Sequence, residues 1–182
     1  PSDHLIGISH YERGLGRAIY IANVLELHLG MFYKRRDYTQ IVNGRNPIVA
    51  HEFLGTSVED KDMIIIDDMI SSGESVLEVA AALKARKAKR IFVFSTFGLF
   101  TGGLEKFDRA FANGVIDKVL TTNLIYQTPE LLQREWYISC DMSKYIAYII
   151  DTLNHDSSIS DLLNPNERIQ AIVSKYKLGA LQ

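Results

Sequence analysis

One cysteine, Cys140, is present in 182 residues, so no internal disulfide framework can staple this chain and no cysteine cluster can hold zinc. That usage fits a reducing compartment, and the cytoplasm is the expected location. Proline is scarce at four and glycine reaches only twelve, which excludes collagen-like and low-complexity chains. Charge of either sign is nearly balanced: 20 Lys and Arg against 22 Asp and Glu leave a net charge of −2. No global positive field therefore exists to draw in nucleic acid or an anionic membrane surface, and any anion site must be local. No apolar run approaches the roughly 18 residues of a membrane span, and no basic, then apolar, then small-residue leader opens the chain. What remains, at 47% hydrophobic and 23% charged residues, is the composition of a soluble globular protein, with a single domain over residues 1–182 expected. Strand-like residues occur as early as Leu5, so the chain is also expected to be a piece of a longer polypeptide.

Short apolar runs alternate with helical patterns throughout. Residues 5–9, 29–33, 63–68, 90–97, 118–122 and 137–139 read as strands, being brief and rich in Ile, Val, Phe and Tyr. Between and after them, residues 17–27, 75–88, 105–113, 142–154 and 167–177 read as helices. The stripe Val76, Val79, Ala80 and Leu83 is the clearest amphipathic face. Apolar strands separated by helices imply an α/β fold, a mostly parallel sheet flanked by helices on both faces. Ligands of such sheets bind beyond the carboxyl ends of the strands. The loops of interest are then residues 9–16, 34–44 and 67–75, with 37–47 expected to be long and mobile. His10 is the one histidine that falls in such a loop. Ile91, Phe92, Val93, Phe94 and Phe97 read as core strand, and Trp136 and Cys140 as residues packed beside a late strand.

The richest segment is Met63-Ile64-Ile65-Ile66-Asp67-Asp68-Met69-Ile70-Ser71-Ser72-Gly73-Glu74-Ser75. A hydrophobic strand ends in two carboxylates, and small hydroxyl residues with a glycine then open a helix. Backbone N–H groups at a helix start, the hydroxyls of Ser71, Ser72 and Ser75, and close approach at Gly73 make a cradle for phosphate. Asp67 and Asp68, expected side by side at the strand tip, suit sugar hydroxyls or a divalent cation. The plainer alternative is that the serines cap the helix and the aspartates begin a turn. A second segment, Lys34-Arg35-Arg36, is expected just past the second strand at the mouth of the mobile loop, where clustered cations suit a polyphosphate.

The 63–75 segment resembles the phosphoribosyl pyrophosphate motif of type I phosphoribosyltransferases and ribose-phosphate pyrophosphokinases: hydrophobic residues, two acids, two more residues, then Asp-Thr-Gly-Gly-Thr. Ser72 and Ser75 keep the hydroxyls and Gly73 the turn, while Ser71 replaces the third Asp and Glu74 the second Gly. The transferases often use that third Asp as general base, so Ser71 argues against their branch. Lys34-Arg35-Arg36 is similar to the catalytic flexible loop of the pyrophosphokinases, in which the positions of Lys34 and Arg36 act on the triphosphate. Further likeness at residues 17–18, 46–55, 88–93, 95–96 and 156–163 extends over nearly the whole chain and matches the second domain of such an enzyme. Two departures are that residues 9–14 lack the family's Ser-Pro-Asp and Gly-Gly, and that Phe97 stands where the family has a histidine.

The resemblance implies a type I phosphoribosyltransferase-like fold and transfer of the β,γ-pyrophosphoryl group of ATP to ribose 5-phosphate, with Mg2+. Residues 71–75 would hold the 5-phosphate, Asp67 and Asp68 the ribose hydroxyls and metal, and Lys34 and Arg36 the transferring phosphates. Homo-oligomers are implied as well. Nucleic acid and membrane are not expected partners. The alternatives are a nucleobase phosphoribosyltransferase and a non-catalytic relative that binds ribose phosphates and regulates a partner.

Overall fold

The computed structural model describes residues 4–9, 15–36, 39 and 48–179. Among these, seven strands form one sheet: β1 (Leu5–Ser9), β2 (His28–Arg36), β3 (Ile48–Leu54), β4 (Asp62–Ile70), β5 (Ile91–Gly98), β6 (Lys118–Thr122) and β7 (Tyr137–Cys140). Their order across the sheet is β3-β2-β1-β4-β5-β6-β7. Every neighbouring pair is parallel except β2 with β3, so the mostly parallel α/β architecture stands. The helices are α1 (Leu15–Leu25), α2 (Glu74–Ala85), α3 (Glu105–Ala112), the short α4 (Pro129–Leu132), α5 (Ser143–Asn154), the short α6 (Ser160–Leu163) and α7 (Asn166–Lys177).

One face of the sheet carries most of the core. Ile6, Ile8, Met63, Ile65, Ile91, Val93 and Val119 are buried there with the α2 stripe Val76, Val79, Ala80 and Leu83, as the 3.6-residue period requires. The far end of that core is aromatic. Phe107 stacks on Trp136 at 5.3 Å between ring centroids, Phe100 meets both, and the Trp136 indole N–H donates to Asp108 Oδ1 at 2.7 Å. That bond satisfies the polar edge of a side chain only 1% exposed. Cys140 is half-buried at the end of β7, so both residues pack where the sequence suggests.

The opposite face is thinner. Ala18 of α1 packs on Ile64 and Ile66 with Leu5, Ile21, Leu27 and Leu29. There α7 returns to α1: Gln170 Nε2 donates to the Val24 carbonyl at 2.8 Å and the Tyr20 hydroxyl donates to Asn166 Oδ1 at 2.9 Å. Beside α7, Arg168 lies over the Tyr145 ring of α5 at 5.8 Å, yet Phe94 stays 37% and Ile138 41% exposed. The expectation that all the strand phenylalanines are core therefore needs correction. Alternation sends Phe94 to the thin face, while Ile91 and Val93 reach the thick one; Phe97, near the end of the ladder opposite the exposed Met69, is 37% exposed as well.

Two strands outrun their expected ends. Polar residues 67–68 read as the end of a strand, yet the ladder of β4 with β5 continues through Met69 and Ile70, paired with Phe97 and Gly98. Likewise β2 runs on through Lys34, Arg35 and Arg36, opposite His51, Ala50 and Ile48 of β3. The basic triplet is thus the tail of a strand and not the start of a loop, and β3 is a strand with no counterpart in the sequence reading. Backbone pairing tolerates polar side chains wherever a partner strand is at hand.

Candidate functional site

The direction of connection reverses next to β1, since β2 lies on one side of it and β4 on the other. Such a switch point leaves a crevice beyond the carboxyl ends of the strands. The register sets its walls. Ser9 pairs with both Met31 and Ile66, so three residues further on stand Lys34 on β2 and Met69 on β4, with β1 already ended between them. Two strand spacings, about 10 Å, separate those tails, a span suited to a sugar phosphate with part of a polyphosphate.

On the β4 side the crevice narrows to a cleft of about 140 Å³ lined by Asp67, Met69, Ile70, Ser71, Ser72, Gly73, Ser75 and Val76. Five of the expected ligand-binding residues, Asp67, Ser71, Ser72, Gly73 and Ser75, therefore meet around one space. Two do not line it. Asp68 is exposed and follows Asp67 in a paired strand, so alternation turns the two carboxylates to opposite faces. The expectation that both project together at a strand tip is corrected accordingly. Glu74 is the other: its carboxylate accepts from the Lys106 ammonium at 2.5 Å, outside the cleft. That partner holds the Glu74 carboxyl below its ordinary range, chiefly through the hydrogen bond.

The start of α2 is open to an anion. Its N-cap is Gly73, at φ 81° and ψ −6°, and no side chain caps the helix. The serines do not perform the capping role that Ser most often plays. Only a long 3.5 Å contact runs from the Glu74 N–H to Ser72 Oγ. First-turn N–H groups and the helix dipole thus point toward the side of the cleft. Glycine at 73 has a second reason beyond close approach of a ligand: a Cβ there would lie 2.4 Å from two carbons of the Phe107 ring. The left-handed turn and the aromatic packing both demand it.

The loop between β5 and α3 escaped the sequence reading and braces the cradle from behind. Leu99 N–H donates to the Ile70 carbonyl at 2.8 Å and Thr101 N–H to the Ser71 carbonyl at 3.0 Å. Thr101 Oγ1 stands 3.3 Å from Ser71 Oγ, and a Cβ on Gly102 would come within 3.1 Å of the Ser72 carbonyl oxygen. Thr101-Gly102-Gly103 at the carboxyl end of a strand is a signal that points to this place. The other residues expected at the site fall outside the described ones: the side chains of Lys34, Arg35 and Arg36, residues 10–14 with His10, and residues 37–47 apart from Thr39. A roomier apolar cleft of about 470 Å³, lined by Leu5, Leu27, Asp62, Arg90 and Tyr176 among others, opens at the amino ends of the strands. It lies at the wrong edge for chemistry in an open α/β sheet.

Comparison with known proteins bears on the same segments. Residues 41–164 match the phosphoribosyl synthetase-associated domain. The chain is 36% identical over 125 residues to a ribose-phosphate pyrophosphokinase of Mycoplasma pneumoniae, covering 68% of this chain and 36% of that protein. It is 31% identical over 163 residues to one from Shewanella oneidensis, covering 89% of this chain and 49% of that protein. The chain spans about half or less of the length of these curated relatives. Its fold is similar to that of a phosphoribosylpyrophosphate synthetase from Mycobacterium smegmatis, with a TM-score of 0.70 at 18% identity, over 85% of this chain and 46% of that one. That likeness bears out the fold which the resemblance implied. No helix among the described residues is long and apolar enough to cross a membrane.

Proposed function

The chain belongs to the family of the phosphoribosyl synthetase-associated domain, and from that premise we propose that it is the ribose-phosphate-binding half of a ribose-phosphate pyrophosphokinase. The observation that carries this reading is the cleft shared by Asp67, Ser71, Ser72, Gly73 and Ser75 at an uncapped helix start. The 5-phosphate sits against the hydroxyls and first-turn N–H groups, and Asp67 accepts from the ribose hydroxyls. The anomeric hydroxyl oxygen then bonds to the β-phosphorus of ATP while the bond from that phosphorus to the α-phosphate bridging oxygen breaks. Phosphoribosyl pyrophosphate and AMP result, and the hydroxyl proton passes to solvent. Lys34 and Arg36 are assigned to neutralise the charge that builds on the transferring phosphates, a step that asks for positioning and electrostatics and no side-chain nucleophile.

The donor set fits magnesium only as a shared ion. Among the described residues no group of three or more His, Cys, Asp or Glu could hold a metal, yet one or two carboxylates with phosphate oxygens and water suffice for Mg2+. Asp67 is the carboxylate at the cleft; Asp68, turned to the other face of β4, does not join it there. Bound there with polyphosphate, the ion would neutralise developing charge. We further place this activity in the cytoplasm of a self-associating protein, which light scattering on the purified chain checks.

Calorimetric titration with ribose 5-phosphate and Mg2+, followed by an assay for AMP release, tests the proposal. Binding in the cradle is expected. Turnover by these residues alone is expected to be slow, since the relatives carry about as much chain again. AMP release at roughly 1 per second would show that no further half is needed; no binding at all would remove the reading. Binding without turnover even when the chain is extended to the length of its relatives would favour the regulatory relative, whose best support is the altered sequence of residues 9–14.

A further inference from the structure

Glu74 sets a problem for any anion in the cradle. It is the first residue of α2, next to Gly73, and its side chain is 65% exposed. An unpaired carboxylate there would oppose a phosphate dianion one residue away and cancel part of the helix dipole that favours it. The structure supplies a counter-charge from another element. Lys106, in the first turn of α3, brings its ammonium to 2.5 Å from Glu74 Oε1, with its side chain 35% exposed. Its backbone is fixed by its neighbour Phe107, which is fully buried and whose ring closes directly over Gly73. The lysine is therefore anchored to the same loop that forms the cradle, and the pair is held across elements 32 residues apart.

We propose that Lys106 is a positioning residue for the substrate: by neutralising Glu74 and drawing its carboxylate away from the cleft, it lets the cradle accept a phosphate dianion. The inference rests on the ribose 5-phosphate reading of the cleft. It assigns Lys106 no contact with the phosphate, and that distinguishes it from a direct ligand.

The test is calorimetric titration of ribose 5-phosphate with Mg2+ at fixed ionic strength into the unaltered chain, Lys106→Met, Lys106→Arg, Glu74→Gln and the double variant Glu74→Gln with Lys106→Met. Thermal unfolding checks each fold. Lys106→Met is expected to bind about tenfold more weakly, and Lys106→Arg about as well as the unaltered chain. The double variant is expected to recover to within about twofold of Glu74→Gln, because the charge that needed neutralising has gone. Should Lys106→Met fail to fold, Lys106→Gln carries the same comparison. Equal affinity in the single lysine variant overturns the inference, and so does a double variant as weak as that single one, which would make Lys106 a direct ligand. If the unaltered chain does not bind, the cradle reading itself falls and takes this inference with it, an outcome separate from the other two.

Discussion

Residues 67–75 and residues 34–36 stand at the same edge of the sheet and are held there by different means. The first is one continuous strand, loop and helix, so the chain itself delivers Asp67, Ser71, Ser72, Gly73 and Ser75 to one cleft. The second depends on β3, a strand that begins twelve residues after Arg36 and pairs back with a register shift between Arg35 and Arg36. A local device is nearly complete once its residues are written. A non-local one needs a partner whose placement costs loop-closure entropy and leaves scope for adjustment. The proposed roles, a rigid cradle for a sugar phosphate and a separately hung set of cations for the phosphates to be transferred, agree with that division.

The comparison is most easily broken at Gly73. If the local device is rigid because of its packing, Gly73→Val is expected to cost about 2–5 kcal/mol of stability, from the left-handed backbone and the overpacked Phe107 ring together. For a chain of this size that lowers Tm by roughly 4–20 °C. Differential scanning calorimetry reads it, and an unchanged Tm would show that Phe107 does not close on the turn.

The cations give the next largest effect. In a full-length pyrophosphokinase carrying these residues, Lys34→Ala or Arg36→Ala is expected to lower kcat about a hundredfold while ribose 5-phosphate affinity stays nearly constant. Steady-state kinetics with a parallel binding titration separates the two. A variant that loses binding instead would merge the two regions into a single device.

Within the cradle, Asp67→Asn is expected to weaken ribose 5-phosphate binding by about 1–2 kcal/mol, the scale of one charge-assisted bond. Asp68→Asn, on the other face, is expected to lose less. Equal losses would mean that the ligand reaches around the strand edge to both.

How much of this was legible in the sequence follows the same division. The segment 67–75 could be read because helix start, hydroxyls and glycine are neighbours in the chain, and the α2 stripe because its period is local. The ends of β2 and β4 could not. Lys34-Arg35-Arg36 and Asp67-Asp68 carry polar side chains, and only the partner strands β3 and β5 make them ladder residues. β3 itself, Ile48-Val49-Ala50-His51-Glu52-Phe53-Leu54, has His51 and Glu52 in the middle of its apolar pattern and is a strand by pairing more than by propensity. The brace at Thr101 and Gly102 and the Lys106 partner of Glu74 are contacts across about 30 residues, which no local pattern announces.

The smallest effect tests whether the local device is truly independent of distant anchors. Asp62 begins β4 at the edge opposite the cradle. Arg90 donates to both its oxygens, Nε to Oδ1 at 3.0 Å and Nη2 to Oδ2 at 2.5 Å, tying the starts of β4 and β5 together. The Arg90 hydrogen bond is the main cause that holds the Asp62 carboxyl below its ordinary range, against an opposing push from burial. A lowered carboxylate pKa stabilises the fold above the pKa of the unfolded chain, about 4, and the gain fades as pH falls through the lower folded value. With the Arg90 side chain 56% exposed, solvent screening keeps the pair to about 1 kcal/mol or less. Arg90→Gln is therefore expected to lower stability by that amount at pH 7, with the difference from the unaltered chain closing below about pH 4 in denaturant titrations. Ribose 5-phosphate affinity at pH 7 is expected to stay the same. Should the affinity fall with the stability, β4 would be passing strain from its first residue to its last, and the cradle would depend on distant pairing as much as the basic triplet does.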